Sequence, residues 1–160
     1  MQINNPSSKI RISDREPTDY STIQISLNDI STSLDKFINQ FFGGTITVSS
    51  PKIAMGYVKI APSRLAYLIK VLVNQYYSDN PPKTSINIEN EGLSITVEYC
   101  EQINDTDTLK KIFESAGLVL QEESERSLHY FSPALTSKSI RVYAGDPTFL
   151  YAYLLEVFFV

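Results

Sequence analysis

The sequence is poor in the residues that most often carry catalysis, disulfides or metal ions. Its 160 residues include a single cysteine, Cys100, and a single histidine, His129. One cysteine excludes an internal disulfide framework and any multi-cysteine metal site, and one histidine further restricts zinc binding. No Ser-His-Asp or Cys-His arrangement can be assembled from one histidine, and the sequence contains no phosphate-binding glycine loop. We therefore predict no catalytic residues and no metal ligands.

Long apolar runs and concentrated positive charge are also missing. No segment approaches the roughly 20 apolar residues that cross a bilayer, and the first residues lack the apolar run of a secretory signal. The net charge is -4, the pI is near 5.0, and the 14 lysines and arginines are scattered. Nonspecific nucleic-acid binding depends on clustered basic residues that neutralise phosphates. We therefore expect a cytoplasmic protein with neither a membrane nor a nucleic acid as partner.

Composition and length predict one globular domain. Hydrophobic residues make up 42% of the chain and charged residues 20%, which is typical of globular proteins and leaves enough apolar surface for a core. Residues 1–20 are polar without sustained periodicity, so we predict a flexible N-terminal arm there, with an edge strand around Ile10 and Ile12. Residues 21–160 are predicted to form the single domain.

Three segments show the periodicity of helices. Their apolar residues recur at three- and four-residue spacing, which places them on one helix face. Gly43-Gly44 follows the first segment and Gly117 the third, and glycine readily takes the left-handed conformation that ends helices. Pro62 opens the second, because its fixed φ suits a first helical turn. The predicted helices run from Leu27 to Phe41, from Pro62 to a stop near Asp79, and from Asp105 to Ser115.

Other segments alternate apolar and polar residues or are rich in β-branched and aromatic ones, as strands are. Asn90-Glu91-Gly92 separates two of them and predicts a hairpin, since glycine adopts a positive φ easily. A turn is predicted at Gly145-Asp146-Pro147. Residues 118–138 fit a helix face, a loop or the tip of a second hairpin, and the sequence leaves them open. The predicted strands are 45–50, 56–60, 85–89, 93–99, 139–143 and 149–158.

The order of these elements predicts the fold class. Helix, strands, helix, hairpin, helix and hairpin follow one another along the chain, which favours an α+β fold. We expect a two-layer α/β sandwich in which a mixed, mostly antiparallel sheet carries the helices on one face.

Several polar residues invite a functional interpretation but have a simpler one. His129 could be a phosphoacceptor, yet Ser127–Phe131 has the pattern of a strand. Cys100 could be a reactive thiol, but with no adjacent partner we predict burial as a small apolar residue. Asp105 and Asp107 lack the spacing of a calcium loop and are explained as acids at a helix start.

The aromatic residues near the C-terminus have two interpretations as well. Phe149, Tyr151 and Tyr153 could form an exposed partner surface, but core packing is the favoured interpretation. The apolar end Phe158-Phe159-Val160 is expected to dock somewhere, either on its own chain or on a second copy.

Three segments together resemble a known family. Ala61–Gln75 resembles the helix of histidine-kinase-type ATPase domains (the GHKL superfamily) that carries an asparagine-containing Mg-binding box. Val97–Ile103 stands where that family has Asp-x-Gly-x-Gly, and Leu109–Glu114 closes the segment as the family does. The resemblance covers roughly residues 27–157 and implies the histidine-kinase ATPase fold.

The residues that would bind nucleotide in this family are replaced. Gln75 stands at the position of the magnesium-binding asparagine, with Asn74 one residue earlier. Tyr99 stands at the adenine-binding aspartate, and Glu101 and Ile103 stand at both glycines. Side chains at glycine positions fill space that a nucleotide needs, and Glu101 would repel phosphates. The resemblance therefore implies a vestigial pocket and no bound cofactor.

The glycine-rich phosphate box of the family has no full counterpart. Gly117-Leu118-Val119-Leu120 offers one glycine, and the few residues before it leave no room for a flexible lid. We interpret Gly117 as a glycine that ends a helix.

The resemblance implies a non-catalytic pseudo-ATPase that acts as a protein-interaction or regulatory module in signalling or a phosphorelay. Its partner would be a protein, such as a response regulator or a kinase, or a second copy. One alternative is a divergent ATP-binding serine or histidine protein kinase of the anti-sigma-factor type, in which Asn74 substitutes for the lost ligand. The other is an unrelated α+β interaction domain.

Overall fold

The computed structural model describes residues 15–50, 55–103, 105–135 and 149–159. In this part of the chain the structure has seven strands and four helices. In chain order they are β1 (Ile23–Ser26), α1 (Leu27–Phe41), β2 (Thr47–Ser49), β3 (Tyr57–Ile60), α2 (Pro62–Tyr76), β4 (Lys83–Glu89), β5 (Gly92–Glu98), α3 (Asp107–Ala116), β6 (Val119–Glu123), β7 (Ser127–Pro133) and α4 (Phe149–Phe158).

The helices α1, α2 and α3 confirm the predictions from apolar periodicity. Helix α1 begins after Ser26, whose hydroxyl accepts a hydrogen bond from the Asp29 N–H at 2.9 Å and so satisfies one free donor of the first turn. Helix α2 has no side-chain cap and begins with Pro62, which needs no such partner. Helix α3 ends at Gly117, which has a φ of +104°.

Five strands form one mixed sheet in the order β2-β4-β5-β7-β6. The β2–β4 pair is parallel and the other three pairs are antiparallel. Strand β4 alternates buried Ile86 and Ile88 with half-exposed Ser85 and Asn87, so one face of the sheet is inward and the other is polar. The inward face joins the apolar sides of the helices in one core, which confirms the predicted α+β class with helices on one face.

The structure adds strands that the local patterns did not predict or left undecided. Strand β1, which was not predicted, pairs with β3 in a separate two-stranded antiparallel sheet. Residues 119–133, which the sequence left open, form the hairpin β6–β7. His129 lies in β7, as its strand interpretation requires. The predictions of a strand over 139–143, a turn at 145–147 and a strand near Ile10 lie outside the described residues.

The prediction of a strand over 149–158 was wrong, because this segment is helix α4. Its β-branched and aromatic residues have strand propensity, which is weak wherever packing decides otherwise. The buried residues are Leu150, Leu154, Val157 and Phe158, and their spacing is that of one helix face. The carboxylate of buried Asp29 accepts a hydrogen bond from the Leu150 N–H at 2.9 Å, which satisfies a free donor at the start of the helix.

The end of α4 docks on its own chain. Phe158 is buried, and its ring centroid lies 4.8 Å from that of Phe37 and 5.2 Å from that of Phe42. Phe159 packs at 5.0 Å on Phe41. The expected docking therefore takes place within one molecule for Phe158 and Phe159, on helix α1 and Phe42, and Val160 lies outside the described residues.

The prediction of a buried cysteine was also wrong, since Cys100 is exposed. It lies just after β5, where the chain leaves the sheet, so the alternation that buries Val97 no longer applies. Asp105 does act at a helix start, because its carboxylate accepts a hydrogen bond from the Asp107 N–H at 3.1 Å. No helix of the described residues has the length and apolarity to cross a bilayer, and their acidic, histidine and cysteine side chains form no group that could hold a metal ion.

Tyr130 makes folding stability depend on alkaline pH. Its ring is buried and stacks on Phe113 with centroids 4.1 Å apart. Burial, and then the negative charges of Glu114 and Glu123, raise the pKa of Tyr130 from 10.0 to about 12. This pKa is higher in the folded state than in the unfolded state. The contribution of neutral Tyr130 to the free energy of unfolding is therefore complete below pH 10.0 and is lost as pH rises toward about 12.

We expect a Tyr130→Phe variant to lose part of this alkaline dependence. Its free energy of unfolding should fall less steeply between pH 10.0 and about 12 than that of the parent. The measurement is denaturant unfolding at a series of pH values, with exposed Tyr76→Phe as the matched control. Equal slopes for the two variants would contradict the assignment to Tyr130.

Candidate functional site

The five positions that the sequence singled out lie on two neighbouring segments. Asn74 and Gln75 are in the last turn of α2, and the other three are in the connection between β5 and α3. This connection comprises residues 99–106 and contains Tyr99, Glu101 and Ile103. A nucleotide bound in the manner that the resemblance implies would lie against these two segments.

A side-chain contact bridges the two segments. The Tyr99 hydroxyl donates a long hydrogen bond to the Gln75 side-chain oxygen at 3.5 Å, beyond the usual range of about 2.5–3.0 Å for such bonds. Tyr99 is half-buried, and burial raises its pKa, an effect that the bond to Gln75 partly offsets. The phenol is therefore neutral at physiological pH and cannot act as a charged acceptor.

The backbone of the connection is attached to the tip of the β6–β7 hairpin. The Tyr99 N–H donates to the Arg126 carbonyl at 2.6 Å, and the Ile103 N–H donates to the Glu125 carbonyl at 2.9 Å. Both Tyr99 and Ile103 are partly buried and pack against the core. Main-chain hydrogen bonds and side-chain packing therefore hold Tyr99 and Ile103 against the domain.

Gln75, Tyr99 and Ile103 take part in these contacts, whereas the other two positions, Asn74 and Glu101, do not. Asn74 and Glu101 are exposed. The carboxylate of Glu101 thus adds a negative charge at the surface of the connection. A polyphosphate that approached the connection would meet this charge unfavourably.

Gly117 has a structural role, as predicted. It ends α3 in the left-handed region with a φ of +104°. A Cβ at this position would lie 3.2 Å from the Lys59 carbonyl oxygen and 3.3 Å from the Ile60 Cα, so the close packing of α3 on β3 needs glycine. This close packing explains why glycine is required here without reference to a phosphate.

Sequence reasoning missed Arg64, a buried cation with partners on several segments. It lies in the first turns of α2 and is only 3% exposed. Its guanidinium donates to the Ser115 hydroxyl and to the Pro17 carbonyl, each at 2.9 Å, and lies 3.6 Å from the Glu16 carboxylate. The Tyr20 ring lies beneath it at 4.6 Å. The sequence did offer one signal for a buried arginine, since Arg64 stands among the apolar residues of the predicted helix.

Arg64 therefore attaches the segment before β1 to helices α2 and α3. A cleft of about 640 Å³ opens beside this attachment, between residues 15–19 and the C-terminal half of α4. A second, shallower depression of about 420 Å³ lies near Ser49 and Asn90. None of the five positions that the sequence singled out lines either cleft.

Comparison with known proteins gives a likeness at the level of structure. No family model matches the sequence, and no curated protein matches it. Among solved structures, the chain is similar to the histidine kinase AdeS of Acinetobacter baumannii, with 11% identity, a TM-score of 0.41, and coverage of 71% of this chain and 66% of that one. It is also similar to the histidine kinase domain of the E. coli osmosensor EnvZ, with 11% identity, a TM-score of 0.44, and coverage of 84% and 100%.

These values limit what the likeness can support. The chain spans about two thirds of the AdeS chain it matches. At 11% identity and TM-scores below 0.5, the likeness supports no conclusion about the site residues or the role of this chain.

Proposed function

We propose that this domain is a non-catalytic pseudo-ATPase of the histidine-kinase type that acts as a protein-interaction or regulatory module. The observation that carries the proposal is the Tyr99–Gln75 contact, which bridges α2 and the β5–α3 connection where the resemblance implies a nucleotide. The hydrogen bonds of Tyr99 and Ile103 to the β6–β7 tip support the same conclusion.

Three physical effects act together against nucleotide binding. The neutral phenol of Tyr99 replaces the carboxylate that the resemblance implies for the adenine amino group. Ile103 and Glu101 place side chains where the resemblance implies glycine, and glycine is needed where a ligand lies against the backbone. The charge of Glu101 repels phosphates. Moving the connection away from the domain to admit a nucleotide would also break its two backbone hydrogen bonds to the hairpin tip.

The filled ligand positions also favour a protein as the partner. A domain that keeps its core but has lost its nucleotide ligands can still act through its surface. We propose that this surface binds a protein in cytoplasmic signalling or a phosphorelay, such as a response regulator, a kinase or a second copy of the chain.

Calorimetric titration with ATP and magnesium tests the proposal. We expect no heat of binding and no rise in melting temperature, whereas a ligand at a hundredfold excess over its Kd would stabilise the fold by about 2.7 kcal/mol. A Tyr99→Phe variant, which loses the hydroxyl contact to Gln75, should also give no heat, because Glu101 and Ile103 are unchanged. An ATP-binding histidine kinase domain serves as the positive control.

The opposite outcome has a specific meaning. Saturable, magnesium-dependent ATP binding that Asn74→Ala abolishes would support the divergent ATP-binding alternative and reject the pseudo-ATPase. ATP binding that Asn74→Ala leaves unaffected would reject the pseudo-ATPase and would also exclude Asn74 as the substitute ligand.

A further inference from the structure

One edge strand of the main sheet, β6, is exposed along its whole length. Strand β6 pairs with β7 on one side, and no other strand of the described residues pairs with it. All five of its residues, Val119–Glu123, are exposed. The other edge strand, β2, has three residues, and short edges resist further pairing. Strand β6 is therefore the edge that can accept another strand.

The β6 edge, defined here as Val119–Glu123, combines apolar and acidic side chains. Val119 is 58% exposed and Leu120 is 37% exposed, which is unusual for large aliphatic residues at a sheet edge. Glu122 and Glu123 follow them, and exposed Glu125 lies in the adjoining turn. Only Glu123 has an ion-pair partner among the described residues, the Lys110 ammonium at 2.7 Å. Even with Lys110 and exposed Arg126 of the same turn counted, the three glutamates leave a small excess of negative charge.

The pairing geometry of β6 favours a single flexible segment as the occupant. Its register with β7 shifts between Leu120 and Glu122, which leaves Gln121 as the extra residue of a bulge. Bulges increase the local twist and prevent two flat sheet edges from pairing. Pairing of two β6 edges would also bring like charges together. An extended peptide can follow the twist, and a basic one complements the charge.

We propose that the β6 edge is a docking site for an extended, basic-apolar segment of a partner protein, which adds to the sheet as a further strand. Main-chain hydrogen bonds to β6 supply the affinity, and lysine or arginine on the face that carries Glu122 supplies the preference. The proposal deepens the proposed interaction function. It rests on that function only in one respect, namely that the domain binds a partner protein. Its test uses no nucleotide, so it can fail while the pseudo-ATPase proposal stands.

The test uses the blocked peptide acetyl-Lys-Val-Lys-Val-Lys-Val-Lys-amide and the full chain. We expect saturable binding, with amide shifts in heteronuclear NMR centred on residues 119–123. Two control peptides separate the contributions: one carries glutamate in place of each lysine, and one is N-methylated at every residue and so lacks all backbone donors. Neither control should bind measurably.

A charge reversal in the chain supplies the matched comparison. Glu122→Lys is expected to weaken binding of the basic peptide roughly tenfold, because an attraction is replaced by a repulsion. Glu89→Lys makes the same change of charge at an exposed position at the end of β4 and should leave the affinity unaltered. Glu122 rather than Glu123 is replaced, so that the ion pair with Lys110 remains.

Several outcomes would overturn the proposal. Absence of binding, equal binding of the N-methylated peptide, or shifts confined to another surface would each exclude strand addition at β6. A sedimentation result showing a dimer whose β6 amides are protected from exchange would assign the edge to a second copy instead.

Discussion

Replacing Phe37 with alanine is expected to lower the free energy of unfolding by about 3–5 kcal/mol. Phe37 is fully buried in α1, where its ring lies at the centre of the aromatic cluster that joins α1 to α4. Centroid distances are 4.8 Å to Phe158, 5.0 Å to Phe41 and 5.8 Å to Tyr151. The truncation removes contacts with both helices and leaves a cavity that the surrounding rings cannot fill without moving.

Denaturant unfolding of graded variants measures this effect. Phe37→Leu keeps most of the volume and should cost less than half as much as Phe37→Ala, about 1.5 kcal/mol. Phe41→Ala, at a half-exposed position of the same helix, should also cost less. If Phe37→Ala were no more destabilising than Phe41→Ala, the result would contradict the packing of α4 against Phe37 of α1. An intact far-ultraviolet spectrum is needed for the comparison.

Gly92→Ala is expected to destabilise the domain by about 3 kcal/mol or more, since it combines backbone strain with a steric clash. Gly92 begins β5 with a φ of +146°, which residues with a Cβ rarely adopt. A Cβ there would clash with the Ser132 carbonyl oxygen of β7 and lie 3.0 Å from the Phe131 ring. The central pair β5–β7 would have to separate to accommodate it.

Two other glycines of the chain separate strain from clash. Gly44 has a φ of +87°, but a Cβ at this position would have no atom within 4 Å, so Gly44→Ala should cost only about 1–2 kcal/mol from the conformation. Gly43 has no positive φ, and the nearest neighbour of a Cβ there would be the Asn39 carbonyl oxygen at 3.7 Å. Gly43→Ala should therefore be nearly neutral. Equal effects for Gly44→Ala and Gly92→Ala would show that strand β7 does not approach Gly92 closely.

Local patterns were enough to predict much of the fold. Apolar spacing predicted α1, α2 and α3, and alternation predicted the β4–β5 hairpin, because the faces of these elements are determined by residues near one another in sequence. The same local rules failed for α4. Its aromatic composition favours a strand, whereas Asp29 at its start and Phe37 along its side determine that it is a helix.

The candidate site divides in the same way. The replacements at Gln75, Tyr99, Glu101 and Ile103 are visible in the sequence, and they predict that no nucleotide binds. That Tyr99 contacts Gln75, and that the connection is bonded to the β6–β7 tip, depends on segments distant in sequence. Arg64 was missed for this reason, since its partners at Pro17 and Ser115 lie far from it along the chain.

The sequence by itself determined the α+β class and the positions of most elements, and it predicts that the residues used for nucleotide in the family it resembles are replaced. These properties depend on residue type and local spacing, which can be read without knowing what packs against what. Only the tertiary structure decided that α4 is a helix, that Tyr99 contacts Gln75, and that β6 is an edge strand among the described residues. Each of these depends on contacts between segments far apart in the chain, and their energies exceed local propensity.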